Sequence, residues 1–147
     1  MEKYEELKLK NQLCFPLYSV SNLIIRNYKP LLDELDLTYT QYITMMVMWE
    51  KEVINEKELG EELFLKSNTL TPLLKKLKTK GYISINKDKK DGRYIVISLT
   101  KKGRELKDKA VNVPPSIAKK LNLDETEVIY LYKILYKILE GNVNEEL

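Results

Sequence analysis

Residues 67–81, SNTLTPLLKKLKTKG, followed at once by YISINKDKKDGRYIVISLT at 82–100, decide the fold. The first stretch reads as a helix, with Ser67 as the expected N-cap and Gly81 as the C-terminal stop. Pro72 falls some five residues inside it, which implies either a later start or a bend near the N-terminal end. The second stretch changes period. YISIN alternates, KDKKDGR is a charged turn-rich loop, and YIVISL alternates again, so a β-hairpin is expected.

Upstream, Asn55 with Glu58 reads as a capping box opening a short helix over EKELGEEL, with a turn at 64–66 before the long one. Two short helices followed by a basic hairpin make a winged helix-turn-helix. The expected fold is therefore mainly α with a small β-hairpin wing. A helix over 67–80 would run ~21 Å, enough to lie along a major groove.

Charge points the same way. Over residues 66–104 twelve Lys/Arg face two acidic residues, Asp88 and Asp91, a net +10. The rest of the chain is acidic, so the net +3 conceals a local basic surface of the kind a polyanion selects. A solvated lysine face would look the same by charge alone; its coincidence with the recognition helix and wing favours double-stranded DNA. Ser67, Asn68, Thr69 and Thr71 at the start of that helix can reach base edges or phosphates. Lys75, Lys76 and Lys78 add sequence-independent phosphate charge, and Lys87, Lys89, Lys90 and Arg93 place more on the hairpin loop. Asp91 either closes an ordinary turn or orients Arg93 toward a narrow minor groove. For Ser67 and Thr69 the bland alternative is helix capping.

Moving outward again, Thr38 with Gln41 caps a helix running through Trp49, and Thr100 caps one beginning KKGRELKDKAV. Pro114–Pro115 interrupts that helix, and Asp124 with Glu127 restarts a last one, VIYLYKILYKIL. At the other end, apolar positions from Leu13 to Leu35 recur at helical spacing. Pro16 fits the first turn of a helix starting near 12–15, whereas Pro30 implies a kink or break near 28–29. The apolar surface of the final helix is broad for a monomer. One domain over 1–147 is expected, with dimerisation helices at about 10–35 and 105–140 around a DNA-binding region at about 38–104.

What is missing is informative too. The 147 residues contain no histidine and one cysteine, Cys14. That excludes Ser-His-Asp and Cys-His catalysis, histidine-ligated or multi-thiolate zinc, and a disulfide within the chain. No metal and no cofactor are expected. With no apolar run long enough to span a bilayer and no signal peptide, no membrane association is expected and the location is cytoplasmic. If Pro16 marks a first helical turn, Cys14 lies at a helix N-terminus, where free N–H groups and the macrodipole favour a thiolate. A thiolate attacks a peroxide oxygen without metal or histidine. The bland reading is a small buried hydrophobe.

The helix-turn-helix with Asp91-x-Arg93 and the strand ending Ser98-Leu99-Thr100 resembles the MarR family of bacterial regulators. More narrowly, NQLCFPLY, YKPLLDELDLTYTQY and SNTLTPLLKKLK look like its OhrR group of organic hydroperoxide sensors, over about residues 10–110. The resemblance implies a homodimeric repressor that binds a pseudo-palindromic operator and leaves it when its reactive cysteine is oxidised. It puts that cysteine at Cys14, and at Tyr28 and Tyr39 the two tyrosines that bond the thiolate from the partner subunit. It puts DNA-reading positions at Ser67, Thr69, Thr71, Lys75 and Arg93. Pro16 and Lys66 depart from the residues usual there.

With no resolving cysteine, the expected fate of oxidised Cys14 is a sulfenic acid. A mixed disulfide with a low-molecular-weight thiol, a sulfenamide or overoxidation would follow. Two other readings are a regulator controlled by a small aromatic ligand, with Cys14 incidental, and a thiol-dependent peroxidase. The second lacks any histidine or arginine close to Cys14 in sequence.

Overall fold

In the computed structural model, which describes residues 3–143, the long helix α4 spans Ser67–Thr79. Its cap is not Ser67. Lys66 holds that place in extended backbone, and its carbonyl takes the N–H groups of Thr69 and Leu70 at 3.1 and 2.9 Å. Ser67 is the first helical residue and makes no capping bond, because the register starts one residue earlier than its side chain suggested. The helix continues through Pro72 with neither a delayed start nor a break. The missing proline N–H would have served the carbonyl of Asn68, a residue exposed at the helix start.

The helix before it, α3, is Glu56–Leu63, with the Asn55 side chain accepting from the Glu58 N–H at 2.8 Å. Phe64 leaves that helix in the left-handed region (φ 53°), and Leu65 N–H returns to the Gly60 carbonyl at 2.9 Å. This tight exit sets α3 against α4. After α4, Gly81 takes φ 84°, a conformation glycine adopts without a Cβ clash, and the chain turns into the wing.

The wing is not a simple hairpin. Strands β2 (Ile83–Lys87) and β3 (Ile95–Leu99) pair antiparallel, and β3 also pairs with β1 (Val53–Asn55), giving the order β1-β3-β2. Ile54 and Ile85 both face Ile97 across the sheet. The third strand is the three residues just before α3, so it ties the start of the helix-turn-helix to the base of the wing.

The remaining helices are α1 (Cys14–Asp33), α2 (Tyr39–Lys51), α5 (Lys101–Ala110), α6 (Val113–Leu121) and α7 (Glu125–Gly141). The capping boxes at Thr38/Gln41 and Asp124/Glu127 form in full, and Thr100 caps α5 through the Gly103 N–H. Pro30 does not break α1; the helix runs unbroken through it and ends three residues later. Pro114–Pro115 does more than interrupt. It occupies the first turn of a separate helix, α6, where proline's missing N–H costs nothing. The core joins the end of α1 (Leu32), α2 (Met45, Met48), α3 (Leu59), α4 and the sheet (Ile83, Ile97).

Candidate functional site

Helix α4 divides cleanly. Leu70, Leu73, Leu74 and Leu77, at i, i+3, i+4 and i+7, are buried in the core. Ser67, Asn68, Thr69, Thr71, Lys75, Lys76 and Lys78 are exposed. Burial of the leucine stripe thus fixes which side chains face outward. Thr71 is partly engaged: its hydroxyl donates to Glu56 Oε1 at 2.9 Å, latching α4 to the first residue of α3.

On the wing loop, Asp91 makes both a local turn bond and a side-chain pair with Arg93. Its Oδ1 accepts the Arg93 N–H at 3.1 Å, closing the local turn. Its two carboxylate oxygens also accept from the Arg93 guanidinium, at 3.0 Å from Nε and 2.8 Å from Nη2. Arg93 holds the Asp91 carboxyl below the usual carboxylate range, and the pairing raises the guanidinium in turn. The arginine side chain is 86% exposed and the aspartate 32%, so the pair presents a cation on an anchored base. Lys87, Lys89 and Lys90 are exposed beside it.

Not all of the +10 block is free of partners within the chain. Lys80 binds the α1–α2 corner, Lys102 donates to the Lys80 carbonyl at 2.8 Å, and Arg104 pairs with Glu52 at 3.3 Å. Charge counting could not separate these from the surface lysines. A cavity of about 480 Å³ opens beside the first turn of α4, walled by Phe64, Leu65, Leu70, Tyr94 and Ile95 and rimmed by Ser67 and Arg93.

Cys14 is the first residue of α1 and is exposed, with Pro16 two residues on. No side chain caps this helix, so its leading N–H groups point beside the thiol without a side-chain acceptor. Tyr28 and Tyr39 meet at the other end of α1, ring centroids 5.0 Å apart. Tyr42 completes the cluster at 5.7 Å from Tyr28 and sets its edge toward Trp49. Burial, aided by the neighbouring phenols, pushes Tyr28 up to about 12 and raises Tyr39 and Tyr42 as well. All three are therefore neutral O–H donors at physiological pH. The sequence reading missed Tyr42, although its i+3 spacing from Tyr39 on α2 was available.

The thiol and the tyrosines of one chain do not meet. Fourteen residues separate Cys14 from Tyr28 along one helix, ~21 Å at the α-helical rise. Tyr28 of the same chain is thus out of hydrogen-bonding reach of this cysteine. Among the described residues no cluster of His, Cys, Asp or Glu could hold a metal ion, and no helix is long and apolar enough to cross a membrane.

The chain and its winged helix-turn-helix fold have counterparts among known proteins. Residues 26–110 match the family model for the transcriptional regulator SarA/Rot. The organic hydroperoxide resistance transcriptional regulator of Bacillus subtilis is 42% identical over 138 residues, 94% of each chain. The HTH-type transcriptional regulator SarZ of Staphylococcus aureus is 43% identical over 94% of this chain and 93% of its own. Among solved structures, reduced AbfR of Staphylococcus epidermidis bound to DNA superposes with a TM-score of 0.77 at 32% identity, covering 97% of this chain and 99% of that one. These relatives are regulators, not enzymes. The chain belongs to the MarR family of winged-helix, DNA-binding transcriptional regulators, in the OhrR-like group that includes the organic hydroperoxide resistance regulator.

Proposed function

We propose that the protein is a homodimeric cytoplasmic repressor, held on its operator while Cys14 is reduced and released when an organic hydroperoxide oxidises it. The observation that carries this reading is the placement of Cys14, exposed at the uncapped start of α1, on a fold that gathers Tyr28 and Tyr39 at the far end of the same helix. In the dimer, Tyr28 and Tyr39 of one subunit donate to the sulfur of the other. The thiolate attacks one peroxide oxygen, the O–O bond breaks, and the alkoxide leaves and takes a proton from water. Cys14 becomes a sulfenic acid, which no longer accepts as a thiolate does, and the tyrosine contacts between subunits weaken. A low-molecular-weight thiol then converts it to a mixed disulfide.

Operator contact follows from the exposed faces. Ser67, Asn68, Thr69 and Thr71 address base edges and backbone in the major groove, with Lys75 and Lys76 on phosphates. Lys89, Lys90 and Arg93, the last steered by Asp91, engage the flanking groove. Two-fold pairing would hold the recognition helices about 34 Å apart, one turn of DNA.

A second reading, ligand control, draws on the cavity beside α4, whose occupant would touch both Ser67 and Arg93. One titration separates the two. Operator affinity is measured with and without stoichiometric cumene hydroperoxide for wild type and Cys14→Ser. Release of wild type alone supports the thiol switch. Binding that persists in oxidised wild type, or equal release of Cys14→Ser, refutes it.

A further inference from the structure

Lys80 ends α4 as its C-cap, and its ammonium turns toward the α1–α2 corner. Its side chain is 26% exposed, far less than a solvated lysine. Nζ donates to the Asp36 backbone carbonyl and, at 3.1 Å, to Gln41 Oε1, with an Asp36 carboxylate oxygen 3.5 Å away. Each acceptor belongs to the tyrosine corner. Asp36 sits in the α1–α2 turn in left-handed backbone (φ 53°), so its carbonyl is aimed by the turn itself. Gln41 is buried, and the same Oε1 accepts the Thr38 N–H at 3.0 Å in the box that starts α2 at Tyr39.

We infer that Lys80 is a positioning residue that couples the tyrosine cluster to the recognition helix. Its ammonium bridges the turn and helix start that carry Tyr39 to the end of α4. A shift of Tyr28 and Tyr39 moves Asp36 and the α2 start, and through three oxygen contacts on one cation that shift reaches α4. The opposite end of α4 is held differently, by Thr71 on Glu56. Displacing the Lys80 end would therefore tilt α4 about its start. This inference rests on the oxidation reading above, and it identifies the connection through which that signal leaves the sensor.

Lys80→Met keeps the aliphatic stem and removes the donors; Lys80→Arg keeps donors and charge. Operator affinity is measured for each in reduced form and after cumene hydroperoxide, with Cys14 oxidation verified by mass. Asp36→Asn, which suits left-handed backbone, serves as a second variant that weakens the ion pair without touching α4. In Lys80→Met the ratio of oxidised to reduced Kd should fall at least about fivefold, the lower range of typical coupling between sites. Lys80→Arg should restore it, and Asp36→Asn should lie between. A purely structural role would lower Tm and weaken both states equally. Ratios unchanged from wild type in Lys80→Met, or in Asp36→Asn if Lys80→Met does not fold, overturn the inference. A wild type that stays on its operator when oxidised overturns the oxidation reading itself, and the coupling with it.

Discussion

Asp91 and Arg93 show how one residue pair can answer a question that charge counting leaves open. Removing the Asp91 charge should, on electrostatics alone, strengthen binding to any DNA. If Asp91 instead steers Arg93, Asp91→Asn should weaken the operator complex and relax its sequence preference, by ~1–3 kcal/mol for a lost groove contact. Fluorescence anisotropy on the operator and on an unrelated duplex gives the sign, and a gain on both would reject the steering role. Lys76→Ala should weaken both duplexes alike and reduce the salt slope by about one. The tyrosines titrate in a testable window. Because Tyr28 is raised from 10.0 to about 12 in the folded chain, the stability linked to its protonated form is present below pH 10 and lost as pH rises toward 12. Tyr28→Phe should flatten that alkaline limb in denaturant melts; an unchanged limb would show that burial of Tyr28 does not control it. Legibility at this scale was uneven. Pro16 disclosed that Cys14 starts a helix, since proline is accommodated in a first turn. Tyr28 and Tyr39, on different helices and eleven residues apart, came from family resemblance, since no local period pairs them.

Elements were readable wherever a local signal sets them. The boxes at Thr38 and Asp124, the Asn55 cap and the Gly81 stop are side-chain or φ requirements within a few residues, and each forms. Strand β1 was not readable, because three residues are too few for a period and their ladder partners lie some forty residues downstream. Gly103 is the instructive case. A glycine inside α5 costs up to ~1 kcal/mol against alanine in helix propensity, so intrinsic preference alone makes Gly103→Ala stabilising. In the fold, an added Cβ would lie 2.2 Å from the Tyr82 carbonyl oxygen, and the Gly103 carbonyl accepts the Trp49 indole N–H at 2.8 Å. Gly103 is the point where α5 touches the backbone leading into the wing. Gly103→Ala should therefore destabilise, by ~2 kcal/mol or more as an overpacked site. A melting temperature equal to or above wild type would contradict that close approach.

At the scale of the molecule, the core belongs to the central region while both chain ends lie open. Leu13, which precedes α1, and Phe15, Leu17, Val20 and Leu23 of α1 are all exposed, and no residue of α7 is buried along its seventeen residues. Ile134 (54%) and Ile138 (47%) lie one turn apart on that helix. A helix this apolar does not remain solvated at low cost, since each buried large aliphatic contributes ~1.5–3 kcal/mol. The sequence revealed this surface but not what covers it, because the same apolar pattern would serve a monomer core. Its exposure here removes that option, and a second copy is the occupant the proposed function calls for. The double change Ile134→Asp with Ile138→Asp should then give a folded monomer by sedimentation, as neither residue supports the central core. Linkage of two half-site contacts in a dimer raises apparent affinity by roughly 10²–10⁴. The monomer should therefore lose about a hundredfold or more on the full operator while retaining its affinity for a half-site duplex. Loss of half-site binding as well would mean that α7 supports the DNA-binding region directly, and a persistent dimer would place the interface elsewhere.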